Sequence, residues 1–514
     1  MIRIHLKTIL VSLLSLSVSS EIPCNVLTTN SGSVCVCTSS YCDSVPKVID
    51  LQPGQYQFYT TSKEKLGFWS VEGRFDDVSI SGNNTIRIAN ISTTYQTILG
   101  FGGAFTDATG INILRLSENT QELLMQSYFG EDGIEYSLGR IPFGGTDFST
   151  REYTYCDVED DTLESFALQE EDFNYKIPFV QKALELRGGS DNFKFIASAW
   201  SAPAWMKSNN KVNGFSFLLD DYYNLWAKYY LKSLDAYKEN NIEFWGITTQ
   251  NEPNDGYLMT KVPNNGFSFF KMRKWITNFF GPAIRNSTYT ALKIIAHDDQ
   301  LLFLPITKYI ILEDEDAVSY VDGIGLHWYT NFFIKDWFHL LASSSKKELF
   351  RLATEACIDT LTNSGLTVDM GSWDRAEEYL DDIITDLKYD FIGWIDWNMA
   401  LSETGGPNWV ENETDAPIIV NGDDDEFYKQ PMFYALGHFS KFIVPGSVRI
   451  AIENSLATLK TVAFVRPDGK IAVILWNRSS LDVSIMLDIL GDTKDFTIKG
   501  HSINTLLYLH HNSE

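Results

Sequence analysis

Apolar and polar positions alternate at both ends of this chain. Residues 50–95 and 447–514 carry short alternating runs bounded by turn residues, which is the pattern of half-buried strands. In the second segment, the runs at 462–465 and 471–474 flank Pro467-Asp468-Gly469, which predicts a hairpin. We expect the two segments to pair as one β-sandwich formed from both ends of the chain.

Between these segments the pattern changes to eight short apolar runs separated by longer stretches. Most of the spacings exceed the roughly 30 residues that a strand–helix–strand unit needs. Helical periodicity fits several of the intervening stretches, as in residues 222–237, whose aromatic stripe is typical of core packing. Eight strand–helix repeats predict a (β/α)8 barrel. The runs centre on residues 98–99, 136–138, 195–197, 244–247, 294–295, 324–326, 349–352 and 391–395.

Chemically capable side chains stand just past the runs. A barrel gathers the carboxyl ends of its strands at one face, where barrel active sites are built, whereas a doubly wound sheet would not bring eight such ends into one pocket. The sequence therefore predicts one shared cleft. The residues at these ends are Asp107, Arg140, Trp200, Asn251, Glu252, Asp298, Asp299, His327, Trp328, Glu355, Asp396 and Trp397.

Two glutamates in this set fit the chemistry of glycoside hydrolysis. Glu252, followed by Pro253, comes after the fourth predicted strand, and Glu355 comes after the seventh, across the barrel. One carboxyl donates a proton to the leaving oxygen, and the other attacks the anomeric carbon or activates water; a separation of roughly 5 Å indicates retention. A single glutamate is more often part of a surface ion pair, so the paired placement carries the prediction.

Local rules predict the state of these two carboxyls. A residue that precedes a proline is pushed out of the helical region, so we expect Glu252 in an extended pose. Two like charges in one site disfavour a second ionisation, so we expect Glu252 to hold its proton while Glu355 is ionised.

Residues 1–20 are predicted to be a signal peptide. Arg3 and Lys7 flank an apolar run, and Ser19 and Ser20 offer a cleavage point. The run is too short for a comfortable transmembrane span, which needs roughly 20 residues. We expect no transmembrane segment, and a mature protein that is soluble and lumenal or extracellular.

Composition narrows the classes of partner. The chain has 514 residues, 44% hydrophobic and 14% aromatic, enough for a large core and more than one domain. Its formal net charge of −26 disfavours nucleic acid and anionic membranes as electrostatic partners. Its 8 histidines show no metal-ligand spacing, so we expect neither a metal nor another cofactor.

Two further patterns fit a secreted protein. Four close cysteines indicate two disulfides, with a zinc knuckle as the less favoured alternative; they are Cys24, Cys35, Cys37 and Cys42. Five sequons predict N-glycosylation at some, not all, of Asn83, Asn90, Asn286, Asn412 and Asn477.

Several stretches scattered over nearly the whole mature chain resemble the glucosylceramidases of glycoside hydrolase family 30. They are residues 100–107 (GFGGAFTD), 249–253 (TQNEP), 353–357 (ATEAC), 371–375 (GSWDR), 405–410 (GGPNWV), 428–433 (YKQPMF) and 437–442 (GHFSKF). The resemblance implies a retaining β-glucosidase that cleaves glucosylceramide, a glycosphingolipid, at a membrane surface. It also implies lysosomal localisation, a saposin-type activator protein and a lysosomal transport receptor.

The resemblance assigns roles to particular residues. It makes Glu252 the acid/base, Glu355 the nucleophile and Arg140 the cation that keeps Glu355 ionised. It implies the disulfides Cys24–Cys35 and Cys37–Cys42, and Cys357 as a thiol outside any disulfide. Without it, each tryptophan would be read as core and the histidine as a buried structural residue. The implied substrate-binding residues are Asp147, Trp200, Asn251, His327, Trp328 and Trp397.

The resemblance also divides the chain into domains. A small β domain with both disulfides is predicted from residues 21–46 with 399–430. An immunoglobulin-like β-sandwich is predicted from 47–95 with 447–514, and the catalytic barrel from 96–398 with 431–446.

The loops at 254–262 and 331–345 depart from the family pattern. They flank the mouth of the predicted pocket, so the sugar is better specified than the group attached to it. Three alternatives stay open: a family 30 glycosidase acting on another β-glucoside, such as a sterol glucoside or an oligosaccharide; a transglucosylase with sterol or alcohol acceptors; and an inactive carbohydrate-binding receptor. Retention of both glutamates and Arg140 argues against the last.

Overall fold

The computed structural model describes residues 22–75, 84–258, 260–334, 347–358 and 366–511. The predicted signal peptide, the sequon at Asn83 and most of the 331–345 loop lie outside these residues.

Strands make up both the barrel and its accessory sheets. In chain order they are β1 Val26–Thr28, β2 Ser33–Thr38, β3 Gln55–Ser62, β4 Trp69–Arg74, β5 Thr85–Ile88, β6 Thr94–Thr97, β7 Gly100–Ala104, β8 Leu138–Phe143, β9 Lys194–Ala199, β10 Gly246–Thr248, β11 Lys293–Gln300, β12 Gly323–His327, β13 Phe350–Glu355, β14 Phe391–Asn398, β15 Ala400–Ser402, β16 Ile418–Asn421, β17 Glu426–Lys429, β18 Val448–Ile450, β19 Glu453–Asn454, β20 Leu459–Val465, β21 Ile471–Asn477, β22 Val483–Ile489, β23 Asp492–Ile498 and β24 Ser502–Tyr508.

Helices fill most of the connections between barrel strands. They are α1 Asp107–Leu114, α2 Glu118–Phe129, α3 Ile177–Arg187, α4 Tyr223–Glu239, α5 Phe269–Trp275, α6 Gly281–Arg285, α7 Leu304–Thr307, α8 Glu315–Tyr320, α9 Asn331–Ile334, α10 Trp373–Lys388 and α11 Pro431–Ser440. Wider π-helical turns occupy Asp172–Lys176, Ile276–Phe280 and Lys308–Leu312, and 3-10 turns occupy Ala204–Met206, Asp220–Tyr222, Pro253–Tyr257 and Leu301–Phe303.

The eight strands β7 to β14 close into a barrel in which every neighbouring pair is parallel. The predicted (β/α)8 fold is therefore confirmed. Its first strand begins at Gly100, slightly later than the apolar run at 98–99. A Cβ on Gly102 would lie 1.8 Å from the carbonyl oxygen of Leu138 on β8, so the close approach of the two strands requires glycine there.

A β-sandwich joins the two ends of the chain, as predicted. One sheet has the order β4-β3-β24-β21-β20-β18-β6, and the facing sheet has the order β19-β5-β22-β23. Strand β24 lies between β3 and β21, so residues near both ends pair directly. The apolar faces between the two sheets form a core of their own, which includes Phe58, Ile86, Leu487 and Leu506. The exact domain limits stay a prediction.

A small sheet, ordered β1-β2-β17-β16-β15, adjoins the barrel mouth. Disulfides join Cys24 to Cys35 and Cys37 to Cys42, so the zinc-knuckle alternative is wrong. Val34 and Val36 of β2 share an apolar cluster with Trp200 and Trp397, which stand at barrel strand ends. The small sheet thus supports one wall of the cleft.

No helix in the described part of the chain is both long enough and apolar enough to cross a bilayer.

Candidate active site

Polar side chains converge at the carboxyl end of the barrel. Arg140 lies within β8, Asp298 within β11, and His327 and Glu355 are the last residues of β12 and β13. Sequence patterning placed these positions just past apolar runs, but Arg140 and Asp298 lie inside strands, and His327 and Glu355 end theirs. Because strand ends are held by the barrel ladder, these side chains are fixed in position without a loop's freedom.

Glu355 and Glu252 face each other across this end. An oxygen of each lies within 4.8 Å of the other. Glu355 is nearly fully buried, and its two oxygens accept hydrogen bonds from different donors. Arg140 Nη1 donates to Oε2, and the Tyr329 hydroxyl donates to Oε1 at 2.9 Å. Two donors on one carboxylate fix its orientation and favour its charged form.

Arg140 is the centre of a buried polar network. Its Nη2 donates to Asn251 Oδ1 at 2.8 Å and to Asp298 Oδ2 at 2.9 Å, in addition to the Glu355 contact. Its guanidinium carbon lies 4.8 Å from the centroid of the Trp200 ring. Burial opposes the positive charge, but Asp298 and Glu355 outweigh it and raise the pKa of Arg140. The cation is therefore locked between two carboxylates.

A β-bulge aims Asp298 into the cleft. The register of β11 against β12 shifts between His297 and Asp299. His297 and Asp298 have φ angles of 75° and 50°, in the left-handed region that non-glycine residues rarely adopt. The extra residue directs Asp298 toward Arg140 while Asp299 accepts from Asn254 Nδ2 at 2.7 Å. Strained backbone of this kind persists where the surrounding contacts determine it, commonly at functional sites.

Glu252 also has left-handed backbone. Its φ of 39° and ψ of 60° show that the expected extended pose is wrong. As the following proline requires, Glu252 nevertheless stays out of the right-handed helical region. The Glu252 N–H donates to the carbonyl oxygen of Asp298 at 3.0 Å, and a 3-10 turn begins at the next residue. The chain therefore bends toward β11 four residues past the end of β10, which a proline rule alone does not specify.

His327 bridges the carboxylates of the cleft. Its Nδ1 lies 2.8 Å from Glu252 Oε1 and 3.8 Å from Glu355 Oε1, and its Nε2 lies 3.2 Å from Asp298 Oδ1. Burial opposes a charge on the ring, but the surrounding carboxylates raise the pKa of His327 well above its ordinary value. The ring therefore carries two protons near neutral pH and donates through both nitrogens.

Two opposing influences act on the proton of Glu252, and the expectation that it holds this proton stays a prediction. Burial favours the neutral acid, but the hydrogen bond and charge of His327 lower the pKa of Glu252 below its ordinary value. Burial raises the pKa of Glu355, against the opposing charges of His327 and Arg140. The family resemblance implied that His327 binds substrate and carried no signal of its contact with Glu252.

Glu252, His327 and Glu355 are compact enough to hold a metal ion, since one ligand atom of each lies within 4.8 Å of the others. Both ring nitrogens of His327 face carboxylates, however. Each nitrogen therefore donates a hydrogen bond and has no lone pair to offer to a metal ion. The cluster is better described as a cation held among acids.

Asp147 is paired with Asn412 and feels the charges of both glutamates. Asn412 Nδ2 donates to Asp147 Oδ2 at 3.0 Å. Burial raises the pKa of Asp147 to about 7, with the Asn412 hydrogen bond opposing the rise and the charge of Glu355 adding to it. A carboxyl that titrates near neutrality can accept from or donate to a sugar hydroxyl.

Two known domain families match consecutive parts of this chain. The Glycosyl hydrolase family 30 TIM-barrel domain matches residues 98–443, and the Glycosyl hydrolase family 30 beta sandwich domain matches residues 446–506. The chain belongs to glycoside hydrolase family 30. The resemblance seen in its motifs is thereby confirmed.

Relatives within family 30 match almost end to end. Lysosomal acid glucosylceramidase of Mus musculus is 41% identical over 93% of this chain and 94% of its own length. Putative glucosylceramidase 3 of Caenorhabditis elegans is 39% identical over 92% of both chains. Among solved structures, SrfJ from Salmonella typhimurium has a TM-score of 0.80 at 25% identity, covering 89% of this chain and 100% of that one. The protein is a glycoside hydrolase.

The tryptophans of this family 30 barrel divide into two groups. Trp200 and Trp397 stack on each other with ring centroids 4.9 Å apart, beside Arg140. Trp328, by contrast, donates its indole N–H to the carbonyl oxygen of Cys357 at 2.9 Å and packs edge-on against Tyr379. The expected substrate contact of Trp328 therefore does not fit the structure, because its polar atom and ring are both engaged in the core.

Four site residues carried no predicted role. Tyr329, next to Trp328, contacts Glu355, and Gln300 Nε2 donates to Glu252 Oε1 at 2.7 Å. Asp298 was noted only as a strand-end acid, and Asn412 only as a sequon. The position of Asp298 near a strand end was a signal that could have found it. Tyr329, Gln300 and Asn412 lie in connecting segments or at a bulged strand end, where the pattern of apolar and polar residues does not indicate function.

The predicted glycosylation sites differ in their burial. Asn90 and Asn286 are exposed, as a glycosylated asparagine must be, and their glycosylation stays a prediction. Asn477 is fully buried, with Nδ2 donating to the carbonyl oxygens of Leu481 and Lys499, so glycosylation there is wrong. Asn412 is exposed as well, although its Nδ2 donates to Asp147, and its glycosylation also stays a prediction.

Proposed function

We propose that this enzyme is a retaining β-glucosidase that hydrolyses glucosylceramide to glucose and ceramide. The observation that carries the proposal is the approach of the Glu252 and Glu355 oxygens to within 4.8 Å at the carboxyl-terminal end of the barrel. A gap of about 5 Å suits direct attack by one carboxylate, whereas inversion needs about 6.5–9.5 Å to admit a water. The nearly full-length similarity to glucosylceramidases supports the choice of substrate.

In the first step, Glu355 attacks the anomeric carbon of glucose while Glu252 gives a proton to the glycosidic oxygen. The bond between that carbon and that oxygen breaks, and ceramide leaves as an alcohol. Arg140 and Tyr329 aim the attacking carboxylate, since each donates to a different oxygen of Glu355. A bond then joins glucose to Glu355.

In the second step, Glu252 is a carboxylate and removes a proton from water. The water oxygen bonds to the anomeric carbon, the bond to Glu355 breaks, and glucose leaves with its original configuration. Glu252 thereby regains the proton that it lost in the first step, and Glu355 regains its charge.

Glucose binding in this proposal uses both walls of the cleft. Asp147 and Asn412 offer oxygen and N–H groups to hydroxyls on one side. Asn251 is held through its amide oxygen by Arg140, which directs its amide nitrogen as the group for a hydroxyl. The stacked pair of Trp200 and Trp397 supplies an apolar face for the C–H side of the ring.

An apolar patch beside the cleft supports a lipid substrate. We define the rim patch as Phe215, Phe217, Tyr257 and Leu258. The Phe217 ring lies 5.1 Å from that of Phe215 and 4.8 Å from that of Tyr257, centroid to centroid. Phe215, Tyr257 and Leu258 remain 55%, 45% and 55% exposed. Exposed aromatic clusters mark binding surfaces, and this one is built on the turn that follows Glu252.

We further propose that the enzyme works in the lysosome with partners. The mouse relative is named a lysosomal enzyme, which supports that compartment. The formal net charge of −26 opposes docking to anionic lipid near neutral pH, so a saposin-type activator is proposed to bridge enzyme and membrane. A lysosomal transport receptor is proposed for delivery.

Glu252→Ala is expected to slow hydrolysis of glucosylceramide by about 10²–10⁴-fold, which is the usual contribution of general acid catalysis. Activated aryl glucosides, whose leaving groups need no proton, should still react with Glu355. Added azide should then restore turnover and yield β-glucosyl azide, because an anion attacks the covalent intermediate without a base. Steady-state rates and product NMR measure both effects.

Glu243→Ala is the matched control, because Glu243 is 69% exposed at the opposite end of the barrel. It should keep the wild-type rate and show no response to azide. If a folded Glu252→Ala protein gave no azide product, the acid/base role would be excluded.

Replacing Phe215 and Phe217 together by serine is expected to separate lipid from soluble substrates. Loss of two apolar rings should raise the apparent KM for glucosylceramide in phosphatidylcholine vesicles by about tenfold or more, since burying one such ring is worth about 1.5–3 kcal/mol. Hydrolysis of a soluble aryl glucoside should not change. Leu481→Ser is the control, because Leu481 is 73% exposed on the sandwich. Equal losses on both substrates would contradict a lipid-binding rim.

A further inference from the structure

Asp107 is a buried acid near a barrel strand end that takes no part in the proposed reaction. It is the first residue of α1 and lies shortly past the end of β7. Its Oδ2 accepts from the Ser149 hydroxyl at 2.6 Å and from the Tyr153 hydroxyl at 3.0 Å. Both donors lie on the segment that follows β8. Asp107 therefore joins the connection after the first barrel strand to the connection after the second.

The Asp147 turn, which we define as residues 144–149, carries the proposed sugar-binding acid. Ser149 Oγ accepts from the backbone N–H of Thr146 at 3.0 Å while it donates to Asp107. One hydroxyl therefore connects Asp107 to the residue directly before Asp147. Ser149 is fully buried, so solvent does not compete for this link.

The residue directly after Asp147 is held as well. The carbonyl oxygen of Phe148 accepts from the backbone N–H of Ala108, the second residue of α1, at 2.9 Å. The Phe148 ring stands edge-on to the Trp397 ring, with centroids 6.1 Å apart. Asp147 therefore lies between two anchored neighbours, while its own carboxyl accepts from Asn412.

Lys176 fixes the start of the same turn. Its Nζ donates to the carbonyl oxygens of Pro142 at 3.2 Å and Gly144 at 3.0 Å. The Nζ also lies 3.1 Å from Asp172 Oδ1 and 3.5 Å from Asp107 Oδ1. A buried cation that is paired with two carboxylates thus holds the backbone where the strand passes into the turn.

We propose that Ser149, bonded to Asp107, is a positioning residue that aims the Asp147 carboxyl at one hydroxyl of the glucose ring. This rests on the proposed binding of glucose at Asp147. A hydrogen bond weakens steeply when its distance and angle change, so a small shift of the turn weakens the contact with that hydroxyl. Loss of the Ser149 hydroxyl releases Thr146 and allows such a shift, without touching either reacting glutamate.

Ser149→Ala should lower kcat/KM for a dinitrophenyl β-glucoside by about 10-fold, the worth of one hydrogen bond to a charged group. The loss should vanish for the one monodeoxy glucoside that lacks the hydroxyl held by Asp147. Asp147→Ala identifies that compound, because removing the carboxyl costs little where the hydroxyl is already missing. The double variant should be no slower than Asp147→Ala alone, since both changes remove the same contact.

Ser233→Ala is the matched control. Ser233 is also fully buried, and its hydroxyl donates to the carbonyl oxygen of Tyr229 at 2.9 Å inside α4. This variant should keep the wild-type rate on every glucoside. Ser149→Cys is a second test of nearly unchanged size, and because a thiol bonds only weakly it should show the same hydroxyl-specific loss. Thermal midpoints check that each variant is folded.

Folded Ser149 variants that match the wild type, or that lose rate equally on every monodeoxy glucoside, would overturn the proposal. Losses that add in the double variant would do the same. If Asp147→Ala showed no hydroxyl-specific loss, the sugar contact and the proposal would both be excluded. Azide rescue of Glu252→Ala is measured in parallel, so each of these failures is distinguished from a failure of the acid/base assignment.

Discussion

Glu355→Gln is expected to abolish turnover of every glucoside, activated or not, with a loss of at least about 10⁴-fold, because a neutral amide cannot form the covalent intermediate. The amide is close in shape to the carboxylate and should leave the fold intact. A mechanism-based cyclitol epoxide should label the wild-type protein at Glu355 and leave the variant unlabelled. Intact mass and peptide mapping measure the adduct.

Glu243→Gln makes the same chemical change far from the cleft and should be labelled like the wild type. An adduct on another residue, or strong activity in Glu355→Gln, would place the nucleophile elsewhere in the barrel.

Arg140→Ala is expected to destabilise the fold as well as the reaction. The change leaves Asp298 and Glu355 buried without their cation, and breaking a buried ion pair from one side costs about 3–5 kcal/mol of unfolding free energy. Chemical denaturation at pH 7 measures this loss. Arg140→Lys should recover only part of it, because an ammonium group lacks the planar fork that reaches both carboxylates.

The pH dependence of stability sharpens this prediction. Arg140 and His327 lower the pKa of Asp298 far below its ordinary value, against the effect of burial. The stabilisation is therefore fully present above the unfolded pKa of about 4, and is lost only as pH falls toward the much lower folded value. Wild-type protein should keep this contribution in mild acid, while Arg140→Ala should lack it throughout. Equal denaturation midpoints for the two proteins would contradict the role given to the network.

The fold could be read from the sequence because its signals are repetitive. Eight apolar runs, spaced by helices, specify a barrel even though its first strand begins slightly after the first run. Glu252 and Glu355 were found because both follow such runs and carry chemistry that requires a pair. The alternating terminal segments likewise specified a sandwich, since their turn residues are local.

The remainder of the site depends on contacts that no local pattern encodes. The bulge at Asp298, the left-handed backbone of Glu252 and the contact of His327 with Glu252 arise from how three strands meet. Asn412 shows that a local motif can also leave a contact in the site unpredicted. Its sequon is a local signal for glycosylation, whereas its place opposite Asp147 is set by packing of distant segments.

The pairing of β24 between β3 and β21 bears on the order of events during synthesis. About 440 residues separate the end of β3 from the start of β24. At roughly 5–20 residues per second, the ribosome needs on the order of 20–90 s to produce the strand that β3 requires. During that interval β3 exposes an open edge while all eight barrel strands are synthesised. Chaperones that recognise unpaired strands should therefore bind the nascent chain through its first hundred residues, and release should coincide with arrival of the last strand.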